Sequence, residues 1–183
     1  RYGRHAADVD ELTRKLDLRD FVLIGHSMGG MISSMYPATY PGRMKKLVIV
    51  DTSLNLSEER LSAMRGVGQR EGSSYATRED LIARYKLGPG NSLAPMEVQR
   101  YIAGYSAKQF PDGGWRHKFG RSVYALREQM DGMPLWDRVK VPALLVRADH
   151  SPRITPEIHA AAKARAPQVE VEARIVQTTR DFA

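Results

Sequence analysis

From His5 to Leu18 the apolar positions Ala6, Val9, Leu12 and Leu16 recur at helical spacing with charged residues between them, the pattern of an amphipathic helix. Phe21-Val22-Leu23-Ile24 then switches to an unbroken apolar run, which predicts a strand buried on both faces. Gly25 to Gly30 is a glycine-rich turn, and Met31 to Tyr40 resumes a helical pattern that Pro41-Gly42 ends. Lys46 to Asp51 predicts a second buried strand. Strand, helix and strand within about thirty residues predict a right-handed parallel crossover. Further on, Ala143 to Arg147 predicts a third strand, Pro156 to Ala166 an alanine-rich helix entered through a proline, and Val169 to Val176 a fourth strand. The fold class expected is α/β around a parallel sheet.

Residues 54–138 break this rhythm. Helical stretches are predicted over Ser57 to Val67, Arg78 to Tyr85, Pro95 to Lys108 and Arg121 to Met130, separated by Gly and Pro turns, with no strand among them. Nine of the fourteen aromatic residues, Tyr75 through Trp136, fall in this stretch. The organisation expected is therefore a core of residues 1–53 and 139–183, with 54–138 as a helical cap inserted between core strands. Aromatic helices so placed read either as a lid over a pocket or as an insert packed on itself.

Composition narrows the function classes. With 42% hydrophobic residues, the 183-residue chain is too apolar to be disordered and long enough to bury a core. Its longest apolar runs, such as Phe21 to Ile24, Leu47 to Val50 and Val141 to Val146, fall far short of the roughly 20 residues a membrane helix needs. The absence of cysteine excludes a disulfide framework, a thiol nucleophile and a thiolate zinc site, and agrees with the cytoplasmic location expected. A formal charge of +7 raises nucleic-acid binding, yet the basic residues scatter over Arg14-Lys15, Arg43 to Lys46, Arg116 to Lys118 and Lys163 to Arg165. They form no single basic face interleaved with stacking aromatics, so no nucleic-acid partner is expected. The chain opens on Arg1 and closes seven residues after Val176, and is expected to be a fragment at both ends.

The sharpest feature is Gly25-His26-Ser27-Met28-Gly29-Gly30, between a predicted strand and a predicted helix. A serine on a tight strand-to-helix turn sits in strained backbone, so small residues are needed two positions before and two after it, where Gly25 and Gly29 stand. The turn lifts the Ser27 hydroxyl clear of the sheet, and the following helix aims its free N–H groups at the same spot. The Met28 N–H is thereby placed to stabilise an oxyanion forming beside Ser27. Pro37 falls inside this helix and is expected to kink it or remove one hydrogen bond.

With these residues in order, the sequence resembles the α/β-hydrolase family. Helix 5–18, strand 21–25, elbow 25–30, helix 31–40, a strand ending in Asp51, a helical cap, Val141-Pro142-Ala143-Leu144-Leu145-Val146 and a helix opening at Thr155-Pro156-Glu157 all occur in the family's order. The resemblance is to the lid-bearing esterases, lactonases, C–C bond hydrolases and cofactor-free haloperoxidases. Members with an aspartate nucleophile are disfavoured by Ser27.

The resemblance implies a serine hydrolase acting on a small-molecule ester, lactone or related acyl substrate, with Ser27 as nucleophile and no cofactor or metal. The triad acid would be Asp149, preferred, or Asp51, each at the end of a predicted strand. The family's usual acid position falls two or three residues after Asp149, at Ser151 or Pro152. Tyr101, Tyr105, Trp115 and Tyr124 of the cap would line or cover the acyl or alcohol pocket. The base histidine would follow the last strand, where Asp181 stands instead, and none of His5, His26, His117, His150 and His159 fits the place. Either the base lies beyond residue 183, or the end of the sequence is altered, or the protein is a hydrolase-like binding domain that does not catalyse. The second oxyanion donor would come from a loop upstream of residue 1, and the oligomeric state is left open.

Overall fold

The computed structural model describes residues 2–87, 94–148, 153–167 and 171–176, the last of these as backbone only. In chain order the elements are α1 (Tyr2–Lys15), β1 (Phe21–His26), α2 (Met28–Thr39), β2 (Met44–Val50), α3 (Glu58–Gln69), α4 (Arg78–Ala83), α5 (Met96–Ser106), β3 (Ala107–Gln109), β4 (Trp115–His117), α6 (Ser122–Ala125), β5 (Ala143–Ala148), α7 (Pro156–Arg165) and β6 (Val171–Val176), with a 3-10 helix over Met133–Arg138 before β5. They fall into two compact units, one drawing on residues 2–60 and 128–176 and the other on 61–127. No described helix is long and apolar enough to cross a membrane.

The first unit is built on a four-stranded sheet in the order β1-β2-β5-β6, with every pair parallel. Side chains alternate between its faces, so Leu23, Leu47, Ile49, Ala143 and Leu145 share one of them. That face carries the core, in which Tyr36 of α2, Trp136 and Val139, Ile154, and Ala162 of α7 are buried with Leu47, Ile49 and Leu145. Trp136 was expected among the cap aromatics but belongs to this core, fully buried. The chain leaves the sheet at Leu54 and returns to it at Gly132, whose N–H donates to the Leu54 carbonyl at 2.6 Å. The two compact units divide at residues 60/61 and 127/128.

The opposite face corrects the expectation that the first strand is buried on both sides. Val22 and Ile24 of β1 are 49% and 65% exposed, because β1 is the edge strand and no described element packs over them. In α1 the buried residues are Tyr2, Ala6, Asp10 and Thr13, whereas Leu12 and Leu16 are 55% and 60% exposed. Hydrogen bonds turn the polar residues inward: the Tyr36 hydroxyl lies 3.1 Å from Thr13 Oγ1 and 3.4 Å from Asp10 Oδ1. The α2 helix runs two residues past Pro37, which is buried within it.

The second unit holds α3 from Leu61 onward, α4 to α6 and a β3-β4 hairpin that the sequence pattern did not predict. Its strands have three residues each, too few to show alternation. The turn is carried by Pro111-Asp112-Gly113-Gly114, with Gly113 at φ +82° and the Gly113 N–H donating to the Phe110 carbonyl at 2.9 Å. The helix expected over Arg121 to Met130 is a single turn, Ser122–Ala125. A methyl group on Gly68 of α3 would meet the backbone of Ala125, so these two helices touch through a position where only glycine fits.

Candidate active site

Ser27 stands between β1 and α2, at φ 53° and ψ −118°, a conformation that side-chain-bearing residues rarely adopt. Two hydrogen bonds fasten it: its N–H donates to the Val50 carbonyl of β2 at 3.1 Å, and its carbonyl accepts from the Gly30 N–H at 3.1 Å. Serine at a helix start normally turns its hydroxyl onto the N–H groups of the first turn. Here the Ser27 hydroxyl makes no such cap bond and the residue is exposed. The helix begins at Met28, three residues earlier than its apolar pattern suggested, so the Met28 N–H belongs to the first turn, whose donors have no intrahelical carbonyl to bind.

The glycines around Ser27 differ in what they permit. A Cβ on Gly25 would collide with the Gly29 carbonyl oxygen and with Ser33 Oγ. A Cβ on Gly29 would meet nothing within 4 Å, so the crowding expected at Gly29 is absent: it is this residue's carbonyl, rather than its α-carbon, that faces Gly25. The second tight place is Gly30, where a Cβ would overlap the Thr52 side chain.

Asp51 follows β2 as Ser27 follows β1, and it too has a positive φ, 42°. Its Oδ2 accepts from Arg153 Nη1 at 2.5 Å, an ion pair between residues 102 apart in the chain. Asp149, His150 and Asp181 lie outside the described residues. The other histidines have the following surroundings. His26 is exposed at the end of β1, and His5 on α1 faces Asp8 at 3.6 Å. His159 lies on α7.

His117, in the second unit, has Nδ1 2.9 Å from Ser106 Oγ and its ring 5.3 Å from that of Tyr85. Burial, and then the nearby Arg121 charge, hold its pKa below the ordinary value of 6.5. The fold thus favours the neutral ring. Its contribution is complete above the unfolded value and is lost as pH falls below 6.5 toward the lowered folded value. Wild type is therefore expected to lose more melting temperature between pH 7.5 and 5 than His117→Gln. Parallel thermal melts check this, and equal losses would refute it.

The aromatic residues expected to form a pocket all belong to the second unit. Tyr101 and Tyr105 on α5 are 66% and 69% exposed and lie against each other, ring centres 4.8 Å apart. Trp115 of β4 exchanges backbone hydrogen bonds with Tyr75, and Tyr124 of α6 packs against Phe119 at 5.2 Å.

A parallel sheet whose first described strand runs through a sharp serine turn into a helix defines a class of protein, and comparison with known proteins agrees. The alpha/beta hydrolase fold family model matches residues 1–175, and the chain belongs to that family. It is 27% identical to human serine hydrolase BPHL over 161 residues, 87% of this chain and 48% of that protein. Over 174 residues it is 28% identical to a putative 2-succinyl-6-hydroxy-2,4-cyclohexadiene-1-carboxylate synthase of Bacillus subtilis (strain 168), covering 85% of this chain and 59% of the relative. The chain thus spans about half the length of these relatives. Among solved structures, E-2-(acetamidomethylene)succinate hydrolase superposes with a TM-score of 0.76 at 23% identity, over 96% of this chain and 66% of that one. An esterase from Mycobacterium tuberculosis superposes with a TM-score of 0.72 at 18% identity, over 95% and 58% respectively. The family match and the superposed structures agree on the alpha/beta hydrolase fold.

Proposed function

We propose that Ser27 is the nucleophile of a serine hydrolase that cleaves an ester, lactone or related acyl substrate. One observation carries this reading: a serine held at φ 53° at the head of a helix, its hydroxyl unused as a cap and exposed. An exposed hydroxyl on strained backbone, with no bond to the described residues, has a use in covalent catalysis and none in packing. The human relative's description as a serine hydrolase points the same way.

In the proposed reaction Ser27 Oγ attacks the substrate carbonyl while a histidine takes the hydroxyl proton, and the Met28 N–H donates to the oxyanion of the tetrahedral intermediate. The histidine returns the proton to the leaving alkoxide, and the C–O bond breaks to leave an acyl group on Ser27. Water, deprotonated by the same histidine, then releases the acid. A carboxylate at the sheet edge, Asp149 or Asp51, holds the imidazole in the tautomer this needs.

A fluorophosphonate probe tests the assignment on the whole protein. Wild type is expected to label at one serine, and Ser27→Ala to lose the label while keeping its melting curve. Labelling that persists in Ser27→Ala would place the nucleophile elsewhere, and a wild type that never labels would favour a hydrolase-like binding domain.

A further inference from the structure

The chain leaves the sheet through residues 51–54 and returns through residues 131–132, and both passages lie against the first turn of α2. On the outward passage Thr52 and Leu54 are buried, and Thr52 Oγ1 donates to the Val50 carbonyl at 3.0 Å, the same carbonyl that accepts from the Ser27 N–H. Asn55 and Asp131 join the two passages in an antiparallel bridge beside the bond from the Gly132 N–H to the Leu54 carbonyl. Directly after Gly132 the chain enters the 3-10 helix, which packs on α2.

Gly132 is required for space and not for conformation. Its φ of −83° and ψ of −11° are open to any residue. A Cβ there would lie 2.7 Å from Met31 Sδ, 3.0 Å from Met31 Cε and 2.9 Å from the Leu54 carbonyl oxygen. Met31 is 1% exposed and stands one turn of α2 after Ser27. Its neighbour Gly30 is closed in the same way by Thr52. Two adjacent residues of one helical turn are therefore seated without clearance, Gly30 on the outward passage and Met31 on the return. A contact with no void beside it passes displacement on.

We propose that Met31 and Gly132 are positioning residues for catalysis at Ser27: the Met31 side chain, seated on Gly132, sets where the first turn of α2 presents the Met28 N–H to the oxyanion. The inference rests on the serine hydrolase reading and deepens it, since the return passage becomes part of the catalytic machinery. A methyl group on Gly132 must open a 2.7 Å contact to about 3.5–4.0 Å, a movement of roughly 1 Å. The Leu54 carbonyl cannot retreat without loosening the bond it accepts from Gly132, so the movement falls on Met31 and its turn. An oxyanion donor has only about 0.4 Å of useful range, and a misplacement of about 1 Å costs on the order of 10²-fold.

The test uses the whole protein with p-nitrophenyl acetate as substrate and a fluorophosphonate as covalent probe, well below the melting temperature of each variant. Gly132→Ala is expected to lower kcat and the labelling rate about 10–100-fold with KM within about twofold. In a Met31→Ala background, where the sulfur and methyl that the new Cβ meets are gone, the same substitution is expected to cost no more than about twofold. Met31→Ala alone is expected to lower kcat about tenfold, and Met31→Leu, which refills most of the space, to recover most of that. This second pair decides the matter if Gly132→Ala does not fold. Wild-type kcat in Gly132→Ala or in Met31→Ala would overturn the proposal, since a purely structural contact lowers the melting temperature and leaves kcat alone. So would an equal cost of Gly132→Ala in both backgrounds, which would route the push through Leu54. In any of these cases a label lost in Ser27→Ala leaves the serine reading standing, whereas a label indifferent to Ser27→Ala removes both.

Discussion

Ser27→Ala is expected to lower kcat on the order of 10⁶-fold while leaving KM and the melting temperature close to wild type. The size follows from the proposed role: if Ser27 is the nucleophile, removing its hydroxyl leaves no acyl-enzyme, and only oxyanion donation and substrate binding remain, worth roughly 10³–10⁴-fold over water. The lack of a stability cost follows from the structure, where the hydroxyl makes no cap bond and, among the described residues, Ser27 is held by its backbone alone. The measurement is steady-state hydrolysis by the whole protein beside a thermal melt. A loss under tenfold would show that the hydroxyl is not the attacking group, and a drop in melting temperature of many degrees would show that it is structural.

The largest stability effect is expected at Trp136. It is fully buried in the core beneath the sheet, and its replacement by alanine is expected to cost about 3–5 kcal/mol, transfer and cavity terms combined. For a chain of this length that corresponds to a fall in melting temperature of roughly 10 °C. Trp136 Nε1 is also buried without a hydrogen-bond partner among the described residues, an uncompensated donor inside apolar packing. Trp136→Phe, which removes that donor and keeps most of the ring volume, should therefore lose far less than Trp136→Ala. Chemical denaturation of the three proteins decides the point, and equal costs for the two variants would contradict it.

What could be read in advance from the amino acids was what short-range pattern dictates. The runs at Phe21, Leu47 and Ala143 became strands of one parallel sheet because four consecutive apolar residues bounded by turn signals have few other uses. The start of α7 is equally legible, since Thr155 caps it by accepting from the Ile158 N–H ahead of Pro156. The expected faces of α1 and β1 depended instead on what packs there. Asp10 and Thr13 turn inward where the Tyr36 hydroxyl meets them, and Ile24 is exposed because no described element packs over that face of β1. The hairpin from Ala107 to His117 had one signal, the Pro-Asp-Gly-Gly turn, and its strands were too short to add a second. At the candidate site the turn around Ser27 could be anticipated from its glycines, but the reason for each could not. Crowding acts at Gly25 and Gly30, and the second of these involves Thr52, a residue from another strand's end. The bond between Arg153 and Asp51 left no mark at all in the sequence, since nothing local to either residue specifies a partner 102 positions away.

The close seat of Gly30 against Thr52 has a mechanical result. With no room for even a methyl group between them, the bend at Ser27 and the tail of β2 behave as one rigid piece, welded to the sheet rather than to the loops around it. Warming should then leave the Ser27 hydroxyl in place until the sheet itself melts, so inactivation and global unfolding are expected to share one midpoint when followed in the same heated sample.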